Sequence, residues 1–189
     1  MDTIDTTRIR RTIFLATLAA VLAVATGAFA LDANKDGWFH TGDGIRTKSV
    51  AFINVKVYAI GHDMKALPPS KSKQAVIDAD VDKRITWKML RDVDHEKITN
   101  ALKEAYAQNG YGDGGKIAQA MSAFKSELKE NTYVTIAYNS TSKATTFTVM
   151  GAGGGSATVG GVDFMKATWS IWFGKIDQPS LGDAMISRW

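Results

Sequence analysis

The sequence predicts an α+β domain, a mostly antiparallel sheet with helices against one face, on three observations. Several segments alternate apolar and polar residues at strand period; two others carry apolar residues three and four apart; and the order lacks the strict strand–helix–strand alternation of a parallel sheet. Trp38 to Arg46 reads as a Gly-rich loop, and Ser49 to Ile60 as strand, with Val50, Phe52, Val55, Val57 and Tyr58 in one dense run. Gly61 to Lys73, holding Pro68-Pro69, reads as a connection. From Arg84 to Leu90, Ile85, Trp87 and Met89 face one way and Thr86 and Lys88 the other, which predicts a half-buried strand. Asp94 is placed as N-cap of a helix over His95–Ala107, with Ile98, Leu102 and Ala105 on its apolar stripe.

After a turn over Asn109–Gly115, the spacing of Ile117, Met121, Phe124 and Leu128 predicts a second helix, Lys116–Lys129. Thr132–Tyr138 and Thr145–Met150 read as a hairpin, followed by a short strand near Ala157–Val159. The C-terminal stretch with Phe164, Ala167, Ile171 and Trp172 on one side predicts a core helix ended by Gly174, whose bulk could also wall a pocket.

The first thirty residues read as a cleavable export signal. Arg8, Arg10 and Arg11 form a basic start, Ile13–Ala25 is apolar apart from Thr17, and Ala28-Phe29-Ala30 is a small-x-small site, so cleavage is expected after Ala30. An uncleaved anchor is the alternative; the polar Asp32–Asp36 stretch and the Ala-rich run favour cleavage, which leaves no stable membrane anchor. Arg10-Arg11-Thr12-Ile13-Phe14 also fits a twin-arginine address, beside the general export route. The domain, residues 31–189, is therefore expected outside the cytoplasm, in a periplasm. It has no cysteine, so no disulfide can staple it and its core must suffice. Without residues 1–30 the charge falls from 23 basic against 19 acidic residues to 20 against 17, interspersed with no basic stripe. Nucleic acid is not indicated.

Motifs that suggest ligands are outweighed by plainer readings. Asp32, Asn34, Asp36 and Asp43 copy the spacing of a calcium loop, but the last ligand is Asp rather than Glu and no helix leads in, so a solvated turn is favoured. Gly110-x4-Gly115-Lys116 resembles a phosphate loop, yet Ile117 stands where a Mg²⁺-binding hydroxyl is needed. Gly151–Gly155 lacks nucleotide-loop spacing, and Asn139-Ser140-Thr141 is a sequon that matters only in a eukaryotic secretory pathway. His40, His62 and His95 show no ligand spacing. No cofactor is expected.

Gly44-Ile45-Arg46, Val57-Tyr58-Ala59-Ile60-Gly61, the run Phe164-Met165-x-Ala167-x-Trp169-Ser170-Ile171-Trp172-Phe173-Gly174-Lys175, and Pro179-Ser180-Leu181 together resemble the bacterial, exported branch of the chalcone isomerase-like family, over roughly Gly42 to Ile186. The resemblance implies an open-faced sandwich, a sheet backed by helices with a ligand cleft between them. In the plant isomerases, which close a flavanone ring within one substrate, an arginine in a Gly-x-Arg turn pre-organises the reacting anion; Arg46 matches it. Their strand threonine falls on Tyr58, and the tyrosine and asparagine of their polar network have no recognisable place in Asp94–Asn100. Fatty-acid-binding relatives in plants use the arginine with a tyrosine, a part open here to Arg46 and Tyr58.

Three functions follow as expectations. The first is binding of a small apolar anion, a fatty or phenolic acid, by Arg46 and Tyr58 beneath an apolar roof, without established catalysis. The second is an intramolecular lyase or isomerase using the same two residues as candidate catalytic groups. The third is a structural or interaction domain without ligand, which an Arg46 held in an ion pair away from any pocket would favour.

Overall fold

A computed structural model describes residues 31–151 and 154–189; the expected signal segment, its cleavage point after Ala30 and part of the 151–155 glycine run lie outside them. Six strands, β1 (Phe39–Val50), β2 (Ile53–Met64), β3 (Lys83–Met89), β4 (Tyr133–Asn139), β5 (Ala144–Val149) and β6 (Ser156–Gly160), form one antiparallel sheet whose order is that of the chain. Five helices accompany it: α1 (Lys73–Asp78), α2 (His95–Gln108), α3 (Gly114–Met121), α4 (Val162–Phe173) and α5 (Pro179–Ala184). The inward residues Ile85, Trp87, Met89, Val134, Ile136 and Phe147 are buried, while Thr86, Thr135 and Thr148 line up on the other face. The architecture is α+β, an open-faced sandwich. Every strand, helix and core residue described lies within 39–189, so this part carries its own core.

Helix α4 is apolar on nearly all sides because it is the middle of the core. It packs on α1, α2, α5 and β5, and Phe164, Met165, Trp169 and Trp172 are almost wholly buried. Gly174 is its C-cap, as expected. Asp94 caps α2 as expected, accepting from the N–H groups of Glu96 and Lys97.

Four expectations need correction. The glycines of 38–46 belong to a strand, not a loop. Gly42 and Gly44 sit where α5 presses on β1: a Cβ at Gly42 would stand 2.3 Å from the Ala184 carbonyl oxygen, and one at Gly44 2.5 Å from Leu181 Cδ1. Helix α3 stops at Met121, well short of Lys129, because the next residues are held by isolated bridges to other segments: Phe124 bridges Gly154 and Leu128 bridges Val93. Their helical spacing reflects burial rather than helix. The 61–73 connection is shorter, since β2 runs to Met64 and α1 begins at Lys73. The strand expected over Ser49–Ile60 is two strands, since β1 ends at Val50 and β2 begins at Ile53 with Ala51-Phe52 as the turn between them.

Two buried polar groups tie these layers together. Trp169 Nε1–H donates to His62 Nε2 at 3.0 Å, so the proton of the neutral imidazole sits on Nδ1 and reaches Thr41 Oγ1 at 2.7 Å. The Thr41 hydroxyl in turn donates to the Met185 carbonyl at 2.8 Å, joining β2, β1 and the C-terminal segment. Lys83 Nζ donates to the Val76 and Ile77 carbonyls in the last turn of α1 and lies 4.8 Å from the Trp169 ring centre. Burial pulls its pKa down to about 7, against the opposing charges of Asp78 and Asp80.

The β1–β2 hairpin extends past the rest of the sheet. The pairing of β2 with β3 ends at Tyr58–Met89, with one further bond from Leu90 N–H to the Val57 carbonyl. Outward of that, Thr47–Val50 and Ile53–Lys56 pair only with each other. The register slips between Arg46–Tyr58 and Thr47–Lys56, which makes Val57 a bulge. Ile53, Val55 and Val57 therefore share an inner aspect with Tyr58, although Tyr58 has the opposite sequence parity.

Candidate ligand cleft

A cleft of about 940 Å³ opens between this arm, α2, the β3–α2 turn and the segment around the end of α4. Its walls are apolar: Ile53, Val55 and Val57 from the arm, Ile98, Ala101, Leu102 and Ala105 from α2, and Ile171 and Trp172 from α4. The stripe on α2 that predicted a helix is thus also a cleft wall, and the pocket-lining part foreseen for the C-terminal helix falls to Ile171 and Trp172.

Arg46 and Tyr58 come together here. They are direct partners across the β1–β2 ladder and both line the cleft. Tyr58 is stacked on Trp87 with ring centres 5.2 Å apart, and its hydroxyl accepts a hydrogen bond from Trp172 Nε1 at 3.1 Å. The phenolic proton has no acceptor among the described residues. Burial pushes the Tyr58 pKa up, outweighing the bond from Trp172 and the nearby Arg46 charge, so the phenol stays neutral and keeps a donor to offer.

Arg46 is held in an ion pair, but at the cleft rather than away from it. Its Nη2 lies 2.6 Å from Asp177 Oδ1, and Nη1 donates to Gln178 Oε1 at 3.3 Å. Lys48, two residues along the same strand, lies 3.3 Å from the other oxygen of Asp177. Burial pushes the Asp177 carboxyl up, yet the Arg46 and Lys48 contacts hold it below the usual range. Gln178 also accepts from the Thr47 N–H and donates to the Ile45 carbonyl, so its amide imitates a neighbouring strand along the edge of β1.

Lys48, Asp177 and Gln178 were missed from sequence. The alternation that puts Lys48 beside Arg46 was available in principle, whereas nothing in Asp177-Gln178-Pro179 announces contact with a strand some 130 residues earlier. The α2 wall carries neither tyrosine nor asparagine. Asn100 is exposed, and Tyr106 points elsewhere, its hydroxyl 2.8 Å from Thr168 Oγ1 in the core.

The calcium-loop residues do not converge. Asn34 Oδ1 accepts from the N–H groups of Asp36 and Trp38, and Asp43 lies on β1 with Oδ2 2.8 Å from His40 Nε2. Among the described residues no three His, Cys, Asp or Glu side chains are grouped to hold a metal ion. The phosphate-loop lookalike is a turn capped by Asp113, with Lys116 bound to Asp163. His40 is bracketed by Asp43 and Asp63; burial lowers its pKa, but the two carboxylates raise it further, a net rise.

An open-faced sandwich with an apolar cleft that ends in an arginine and a buried tyrosine defines a class of fold and site. The chain belongs to the chalcone isomerase-like family, whose model matches residues 34–186. Among solved structures it is similar to a fatty-acid binding protein from Arabidopsis thaliana, with a TM-score of 0.63 and 16% identity over 81% of this chain and 87% of that one. No curated protein matches the sequence.

Proposed function

We propose that this protein binds a small amphipathic anion, a fatty or phenolic acid, in the cleft, and that it does so after export. One observation carries the reading: Arg46 and Tyr58 are cross-strand partners at a cleft walled by apolar residues of the arm, α2 and α4 inside a charged rim. The guanidinium has five N–H donors, two of them engaged by Asp177 and Gln178. Those left over, with the free phenolic proton, can hold a carboxylate or phenolate while the walls bury the carbon skeleton. The volume suits a single ligand of that size. The fold shared with a plant fatty-acid binding protein supports an acyl ligand. An isomerase would need groups placed to move a proton; α2 brings Lys97, Glu104 and Gln108 to the lining beside the apolar Ile98, Ala101, Leu102 and Ala105.

Native mass spectrometry of protein purified from its source, followed by calorimetric titration with dodecanoate and a phenolic acid, tests the binding. A co-purified anion is expected, and Arg46→Ala is expected to lower affinity about tenfold or more through loss of a charged hydrogen bond. No bound anion, with affinity unmoved in Arg46→Ala, would overturn the reading. Export is tested by the intact mass of the protein recovered outside the cytoplasm, expected to begin at Leu31.

A further inference from the structure

The tip of the β1–β2 arm combines features that folding does not explain. Ala51 and Phe52 form its two-residue turn with φ of 47° and 68°, a conformation that favours Asn-Gly. The Phe52 ring is fully exposed, and Ile53 beside it is 67% exposed. A bulky aromatic kept at a strained, solvent-facing position points to use rather than packing. This tip overhangs the cleft: Ala51 and Ile53 on either side of Phe52 line its mouth.

The rim around it is basic in its free charges. Arg91, Lys97 and Lys175 stand across the mouth without a carboxylate partner among the described residues, while Lys48 on the arm shares Asp177 with Arg46 and Lys56 is exposed on the arm's other face. Three of the four acids there are engaged. Asp92 holds Lys129 and the Glu130 N–H, Asp94 caps α2, and Asp177 holds Arg46 and Lys48, which leaves Glu104. An exposed aromatic flanked by unpaired cations is the pattern that seats a protein on an anionic lipid surface, the ring at the acyl boundary and the cations among headgroups.

We propose that the Phe52 tip and this rim dock on an anionic phospholipid bilayer, which brings the cleft mouth to the acyl chains. The identity of the cargo rests on the binding function proposed above; the docking does not. Because the chain has no cysteine, a Phe52→Cys variant can be labelled at that one position. Residues 31–189 would be sedimented with vesicles of phosphatidylglycerol and phosphatidylcholine, and with phosphatidylcholine alone. Binding to the first only is expected, weakened about tenfold in Phe52→Asp and in a Lys97→Glu, Lys175→Glu pair, with a polarity-sensitive probe at position 52 shifting to the blue. Binding unchanged in Phe52→Asp, or a probe that stays in water, would overturn the proposal. A dodecanoate titration without vesicles separates the two readings. Phe52→Asp is expected to bind dodecanoate as the wild type does. If it loses dodecanoate and wild type ignores vesicles, the arm is a clamp on the ligand and docking fails; if wild type docks but takes no anion, the ligand reading alone fails.

Discussion

Arg46 and Lys48 share one carboxylate, Asp177, so that end of the cleft keeps one positive charge in excess. A ligand carboxylate entering there meets a guanidinium already partly occupied by an internal acid. Asp177→Asn is therefore expected to tighten dodecanoate severalfold in a calorimetric titration and to leave its methyl ester unchanged, since only the charged ligand competes with Asp177. His62 makes a prediction of the opposite kind, about stability. Burial lowers its pKa from 6.5 to about 3, so below pH 6.5 the unfolded chain takes up a proton that the folded one refuses. Stability should fall as the pH drops from 6.5 toward 3, by up to about 1.4 kcal/mol per pH unit. Denaturant midpoints measured at about pH 7 and about pH 5 should differ, and His62→Gln should flatten that difference. His40 acts outside this window: its raised pKa adds stability that is full below pH 6.5 and lost as the pH climbs through its folded value.

At the scale of elements, the edge strand β1 is closed by a side chain and a short helix rather than by a seventh strand. Gln178→Ala removes the bonds to Thr47 N–H and the Ile45 carbonyl, and is expected to destabilise by about 1–2 kcal/mol. Amide exchange should quicken at Thr47 and not at Ile85 in the sheet centre. Gly42→Ala should cost more, since its Cβ would meet the Ala184 carbonyl oxygen and push α5 off the sheet. These same contacts mark what the sequence could reveal. β3, β4, β5, α2 and α4 were legible because each is long enough to repeat its own period and is capped or turned by recognisable residues, Asp94 and Gly174 among them. β1 was not, because its glycines answer to α5, an element far away in the chain. The Val57 bulge was invisible as well: alternation changes phase there, and Ala51-Phe52 holds no usual turn residue, so Ser49–Ile60 reads as one strand across both. Arg46 and Tyr58 were found through family resemblance, and only the register showed them to be partners. Their counterweight Asp177 had no local signature.

For the whole molecule, one sheet in chain order means that each strand pairs with the one made just before it, except at the outer side of β1. That side is completed by the last residues: Leu181, Met185 and Ile186 are buried against the core, the Met185 carbonyl takes the Thr41 hydroxyl, and Arg188 N–H bonds the Thr41 carbonyl. Burying each of those three side chains contributes about 1.5–3 kcal/mol, against a typical total stability of about 5–15 kcal/mol. Removing residues 177–189 is therefore expected to abolish cooperative unfolding, read by near-ultraviolet circular dichroism against denaturant, while removal of residues 1–30 should leave it intact.

The closure of the final segment on the first strand also orders events in time. A chain emerges from the ribosome N-terminus first, and the meander can zip as it appears, one hairpin after another. Arg46 stands beside an unfinished wall until Asp177 and Gln178 pack against it, wherever folding takes place. The guanidinium gains its carboxylate partner, and the cleft its last side, only once residues 177–178 have joined the sheet.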